Sequence, residues 1–198
     1  MKKNKNNTTA TPTNQAQASF FRIFNYRYKF IRSVNPYFEG SKTGSKGGKK
    51  GKQKPEWYRD GIKHPIREKL LENLYNDPAE LIGLSFGTKT KYCGFDIDQY
   101  SPFHPVINEE GFRELLGHLE KIGLVNPIVI RSSHSGGVHV YFFFPEEIGT
   151  FNLACAMQGV LVEHGIKPTS GILELFPNAK RHSKNQDESF YNGLRLPL

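Results

Sequence analysis

From residue 92 onward the apolar runs of this chain follow one order: strand, helix, strand, strand, helix, strand. "KYCGFDID" is a short β-rich run with alternating character. "NEEGFRELLGHLEKIG" reads as a helix: Asn108 caps it and acids fill its first turn. Phe112, Leu115, Leu116 and Leu119 form its apolar stripe, and Gly123 ends it. "NPIVIRS" and "VHVYFFF" are strands around a Ser-Gly-Gly turn. "EEIGTFNLACAMQGVLVEHG" is a second helix, closed by Gly165, and "SGILELFP" is a strand that stops at Pro177.

That order restricts the topology. Strand–helix–strand crossovers are right-handed, so the first strand of such a set lies between the third and the fourth. The expected fold is α+β, an RRM/ferredoxin-like βαββαβ palm with sheet order fourth, first, third, second. Both helices cover one face, and the other face is expected to be open. Upstream, "HPIREKLLENLYND" reads as a helix and "ELIGLSFG" as a strand. The closing "SFYNGLRLP" is extended, so an additional N-terminal α/β unit accompanies the palm.

Charge separates the chain into two parts. Residues 1–54 hold thirteen Lys and Arg against one acid, Glu39, for a net +12; the remainder holds fourteen against eighteen, for −4. Residues 1–55 are therefore expected to be a disordered basic N-terminal region, including the polycationic "GSKTGSKGGKKGKQKP". Within it, Phe20, Phe24, Tyr28 and Ile31 recur at helical spacing and predict a short amphipathic helix near 19–33. Such a helix can dock on the domain, stack on unpaired bases or lie on a membrane surface. The absence of acids before Glu39 also resembles an organelle transit peptide, the lesser reading. Residues 56–198 are the expected folded domain. No apolar run is long enough to span a bilayer, and two cysteines, Cys93 and Cys155, are too few for a disulfide scaffold, which fits a reducing compartment.

Strand parity brings polar residues together. Asp96 and Asp98 share one face of the first palm strand, opposite Phe95 and Ile97. His139 and Tyr141 share one face of the third, and Glu174 lies on a face of the fourth opposite Leu173 and Leu175. With the apolar sets against the helices, three carboxylates and an imidazole meet on the open face. Like charges at that range need a cation between them, and carboxylate oxygens suit two Mg²⁺ or Mn²⁺ ions, the usual device of in-line phosphoryl transfer. Ser135, Gly136 and Gly137 offer unobstructed main-chain N–H groups of the kind that bind anions; taken alone, the same tripeptide is a hairpin turn. Zinc is not supported, because Cys93, Cys155, His134 and His139 lack ligand spacing.

These residues resemble the archaeo-eukaryotic primase, or primase-polymerase, superfamily. "GFDID", "SGGVHVYF" and "LELFP" are similar to its three motifs, and "S-G-G-x-H-x-Y" with "E-L-F-P-x-x-K" are closest to the members carried by plasmids, phages and bacterial mobile elements. The resemblance spans residues 60–198. It implies that Asp96, Asp98 and Glu174 bind the catalytic divalent metals, and that Ser135 and His139, with the turn glycines, bind the triphosphate. Arg195 in "NGLRLP", Lys89 or Lys91, and Lys180 are implied to contact phosphate, nucleotide or template. Glu174 departs from the aspartate common at that place, and either carboxylate binds metal. The chain ends three residues after Arg195, where family members usually continue, so a minimal module or a fragment of a longer protein is expected.

The activity so implied is a DNA primase/polymerase-type nucleotidyltransferase adding (d)NTPs to a 3′-hydroxyl on a DNA template and primer, with de novo primer synthesis in replication or repair. The implied partners are a helicase or other replication proteins and no membrane, in a cytoplasmic setting at the nucleoid or a plasmid. The alternative from another class is a non-catalytic RRM-like module that binds single strands. It requires exposed aromatics at the strand centres, where this chain places acids. A rolling-circle nuclease on the same fold requires a His-hydrophobe-His pair, and "GVHVY" supplies one histidine.

Overall fold

The strand that carries Asp96 lies in the interior of a four-stranded antiparallel sheet. The computed structural model describes residues 12–24, 29–35, 68–132, 136–179, 191 and 193–196. In chain order the elements are α1 (Pro12–Phe24), β1 (Lys29–Val34), α2 (Glu68–Tyr75), β2 (Glu80–Ser85), β3 (Lys89–Ile97) and α3 (Glu109–Glu120). They continue with β4 (Ile128–Ser132), β5 (Gly137–Gly149), α4 (Thr150–Glu163), β6 (Leu173–Phe176) and β7 (Leu194–Arg195). The palm sheet runs β4-β5-β3-β6, the expected order, and a smaller antiparallel sheet runs β1-β2-β7. The fold is thus an α+β, ferredoxin-like palm with an N-terminal α/β unit.

Period-two alternation divides the palm strands between two cores. Phe95, Ile97, Val138, Val140, Phe142, Leu173 and Leu175 face α3 and α4, where they meet Leu115, Leu119, Met157 and Leu161. Local signals position those helices. The Asn108 side chain accepts from the Gly111 N–H at 3.0 Å, and Gly123 and Gly165 take positive φ just beyond the helix ends.

Among the described residues, the opposite face is open at one end only. Tyr92, Tyr141 and Phe176 lie under a second core made with Phe24, Leu71, Ile82, Leu84 and Leu194. Phe24 packs edge-on against Tyr141, with ring centroids 5.2 Å apart. Gly94 permits the two layers to approach: a Cβ there would sit 2.6 Å from Leu194 Cδ2. The described residues leave uncovered the end of the sheet that holds Asp96, Asp98 and Glu174.

Three expectations are corrected. Of the amphipathic helix expected near 19–33, the part to Phe24 is helical, Tyr28 lies outside the described residues, and from Lys29 the chain is a strand paired with β2. Here ladder pairing and burial of both Phe30 and Ile31 outweigh the helical spacing. Residues 12–18, expected to be disordered, form the first turns of α1, which starts at Pro12, a favoured first helical position. The helix expected from Glu146 starts at Thr150, because β5 continues to Gly149 and pairs Ile148 with Thr90 and Gly149 with Lys89. The lysine-rich linker lies outside the described residues. Among those described, no helix is long and apolar enough to cross a membrane.

Candidate active site

Asp96 is in direct register with two further candidate residues, His139 on β5 and Glu174 on β6. Residues directly opposite in an antiparallel pair present their side chains on the same face, with Cβ atoms about 4.5–5.5 Å apart. The interior position of β3 therefore sets the Asp96 carboxylate between an imidazole and a second carboxylate. Asp98, two residues on, shares that face just past the end of β3, where its N–H donates to the Ile172 carbonyl at 3.1 Å.

His139 is held rigidly. Its side chain is 1% exposed, and its Nε2 is 3.5 Å from Asp96 Oδ1. On the other side Nδ1 is 3.1 Å from the Tyr141 hydroxyl, which donates to the Arg195 carbonyl at 3.3 Å. A tyrosine hydroxyl has one proton, so with that proton directed at Arg195 O the hydroxyl accepts from His139 Nδ1–H. This places a proton on Nδ1 and turns Nε2 toward Asp96. Tyr141 in turn is fixed by the packing of Phe24.

The carboxylates act on one another. Burial first, then the charges of Asp96 and Glu174, hold the Asp98 carboxyl above the usual aspartate range, and His139 partly offsets this. Glu174 accepts a hydrogen bond from Ser170 Oγ at 2.7 Å. Among the described residues no three Asp, Glu, His or Cys side chains are already gathered at metal-holding distance. The donor set nevertheless fits a hard divalent ion, because a cation relieves the repulsion that raises Asp98, and carboxylate oxygens are the ligands Mg²⁺ and Mn²⁺ prefer.

The glycine-rich turn abuts the same end of β3. Gly136 has φ +76, and a Cβ on Gly137 would lie 2.7 Å from the Ile97 carbonyl oxygen and 3.4 Å from Asp98 Cα. Gly137 is thus required for the turn to approach the carboxylate strand. Ser135 and His134 lie outside the described residues.

Other candidates from the sequence fall elsewhere. Lys89 and Lys91 lie toward the opposite end of β3, seven and five residues before Asp96, or about 23 and 16 Å at strand rise. The structure therefore does not bring them to the carboxylates. Arg195 reaches the site through its main-chain carbonyl, on Tyr141. Lys180 lies outside the described residues. Cys93 is buried and Cys155 exposed, and neither joins His139.

Sequence reasoning missed three supporting residues. Tyr141 had a signal, since it shares a face with His139, but its bond to the distant Arg195 carbonyl has none. Ser170 and His104, a buried histidine bonded to Gly136, act across loops whose paths the sequence does not show.

No protein-family model and no curated protein matches the chain. A solved structure it resembles is the polymerase domain of ligase D from Mycobacterium tuberculosis, in complex with DNA. The two share 14% identity over 90% of this chain and 70% of that one, with a TM-score of 0.44. At that distance the chemistry of this chain has to come from its own residues.

Proposed function

We propose that the protein is a template-directed nucleotidyltransferase of the primase-polymerase kind, which adds (d)NTPs to a 3′-hydroxyl. The observation that carries this reading is the register of Asp96 with both His139 and Glu174, with Asp98 on the same face. In this reading Asp96, Asp98 and Glu174 hold two Mg²⁺ or Mn²⁺ ions. Bound there, such ions lower the pKa of the attacking 3′-hydroxyl and stabilise the leaving pyrophosphate. The protein's own residues orient the reactants. Ser135, Gly136, Gly137 and His139 bind the incoming triphosphate, and Glu174 completes the carboxylate set. Arg195 and Lys180 contact phosphate or template, and Lys89 and Lys91 are left for nucleic acid outside the cleft.

The basic N-terminal region tethers DNA by counterion release. The partners are a DNA template and primer, a helicase or other replication proteins; the setting is a nucleoid or plasmid. De novo priming is the further capacity proposed. Burial speaks against the single-strand-binding alternative: on this face of β3 and β5, Tyr92 and Tyr141 are buried and Phe143 is half-buried, all three packed into the core made with the N-terminal unit.

The test is primer extension and de novo synthesis with Mg²⁺ or Mn²⁺, comparing wild type with Asp96→Ala/Asp98→Ala. Metal-dependent incorporation lost in the double variant is expected. Incorporation retained by that variant overturns the metal assignment, and strand binding without synthesis by wild type favours the binding module.

A further inference from the structure

His104 is a buried polar side chain, 4% exposed, on the loop between β3 and α3. Both of its ring nitrogens are bonded. The Val106 N–H donates to Nδ1 at 3.3 Å, and Nε2 lies 3.0 Å from the Gly136 carbonyl oxygen. A nitrogen that accepts has no proton, so the proton is on Nε2, which donates to Gly136. Gly136 is thirty-two residues further along the chain, in the β4–β5 turn.

The rest of the loop is built around the same ring. The Ser101 N–H donates to the Asp98 carbonyl at 2.9 Å, and the His104 N–H donates to Ser101 O at 3.0 Å. The His104 carbonyl accepts from Ile107 and Asn108. Ser101 is itself buried, and its hydroxyl accepts from the Phe103 N–H. Consecutive turns thus run from Asp98 to the Asn108 cap of α3, and His104 joins this frame to the glycine turn. The turn lies close against the frame: a Cβ on Gly136 would be 3.0 Å from Gln99 Cδ. A hydrogen bond from a buried imidazole to a turn carbonyl orients that peptide, because the C=O and the following N–H of a trans peptide are fixed in opposite directions. Holding the Gly136 carbonyl therefore fixes the direction of the Gly137 N–H.

We propose that His104 is a positioning residue that, through the Gly136 carbonyl, holds the glycine turn at its spacing from the Asp98 end of β3 and so shapes the site for an incoming nucleotide's triphosphate. This rests on the nucleotidyltransferase reading for the identity of the ligand; the pinning of the turn stands independently. His104 touches no reacting atom and acts through Gly136.

Three variants test it. His104→Phe fills the volume without the bond, His104→Gln offers an amide N–H to Gly136, and His104→Ala removes both. In the Phe variant the KM for the nucleoside triphosphate is expected to rise about tenfold, the scale at which supporting partners act on site groups. Mn²⁺ binding should stay at the wild-type level, and the Gln variant should recover most of the loss. Amide hydrogen exchange at Gly136 and Gly137, measured without substrate, is expected to quicken about tenfold in the Phe variant and to return in Gln. A folded Phe variant with wild-type KM and wild-type exchange overturns the proposal, as does a loss confined to kcat. If wild type incorporates no nucleotide, the reading of the activity fails; the exchange rates then decide the pinning, faster exchange supporting it and unchanged exchange overturning it.

Discussion

His139 stands directly opposite Asp96 across the β3–β5 ladder, its Nε2 3.5 Å from the Asp96 carboxylate and its Nδ1 committed to Tyr141. One imidazole therefore joins the carboxylates to the N-terminal unit, because the Tyr141 hydroxyl donates a hydrogen bond to the Arg195 carbonyl of β7. Removing the Tyr141 hydroxyl leaves the buried His139 Nδ1–H and the Arg195 carbonyl without this partner. Tyr141→Phe is expected to lower stability by about 1–2 kcal/mol, the cost of unsatisfied buried groups, and to slow nucleotide incorporation about tenfold by freeing the His139 ring. Chemical denaturation and single-turnover incorporation measure the two effects. Full stability together with full activity contradicts the relay.

Asp98 makes a prediction about pH. Its carboxyl is raised by burial and by Asp96 and Glu174, so the folded chain holds this proton more tightly than the unfolded chain. Stability from this group is then lost, not gained, as pH rises from the ordinary aspartate value of 3.8 through the raised one. Asp98→Asn has no proton to lose. Without metal, the variant should gain stability relative to wild type across that window and keep the gain at neutral pH, and added Mg²⁺ or Mn²⁺ should erase it by stabilising wild type alone. Thermal melts of both proteins, with and without metal, read this directly. A constant difference across pH contradicts the assigned repulsion.

Much of this geometry was legible in the sequence. Caps at Asn108, Gly123 and Gly165 and the alternation of "GFDID", "VHVYFFF" and "LELF" were enough to order the palm and to put Asp96, Asp98, His139 and Glu174 on one face, because local propensity and tertiary packing agree there. The failures lie where long-range pairing overrides a local signal. Glu146 and Glu147 read as the first turn of a helix, but pairing of the next residues with Thr90 and Lys89 keeps them in β5. Phe20, Phe24 and Ile31 share a helical spacing, yet only the first two belong to a helix, since β2 recruits Ile31 into a strand. Nor does parity reveal that half of the open face is roofed by Phe24. That depends on a contact between residues more than a hundred positions apart.

The two cysteines should differ sharply in reactivity. Cys93 is buried on β3 within the helix-facing core, and burial alone pushes its thiol far above the ordinary value. Cys155 is exposed on α4. Since the thiolate is the reactive form, a maleimide or iodoacetamide should modify one thiol of the native protein quickly, at Cys155, and reach Cys93 only on unfolding. Peptide mapping after a short pulse distinguishes the sites. Rapid native labelling of Cys93 would place β3 outside the core and undo the assignment of its faces.

Gly94 tests whether the roof over the sheet is a tight one. It precedes Phe95 and Asp96 on β3 and lies beneath β7, where a methyl group would stand 2.6 Å from Leu194 Cδ2. Leu194 is 2% exposed and has little room to retreat. Gly94→Ala is therefore expected to cost about 1–3 kcal/mol through overpacking, even though alanine is ordinarily no worse than glycine in a strand. Leu194→Ala alone should also destabilise, by leaving a cavity. The two changes relieve one another if the contact is real, since the added methyl enters the space the leucine leaves. The double variant should then be more stable than the sum of the single losses predicts, with a coupling of about 0.5–3 kcal/mol in a double-mutant cycle. Because Arg195 follows Leu194 and carries the carbonyl that accepts a hydrogen bond from the Tyr141 hydroxyl, Gly94→Ala should also weaken incorporation while leaving every carboxylate intact. Strictly additive losses would mean that β7 does not rest on Gly94, and the hydrogen-bonded path from β7 through Tyr141 to His139 would lose its support.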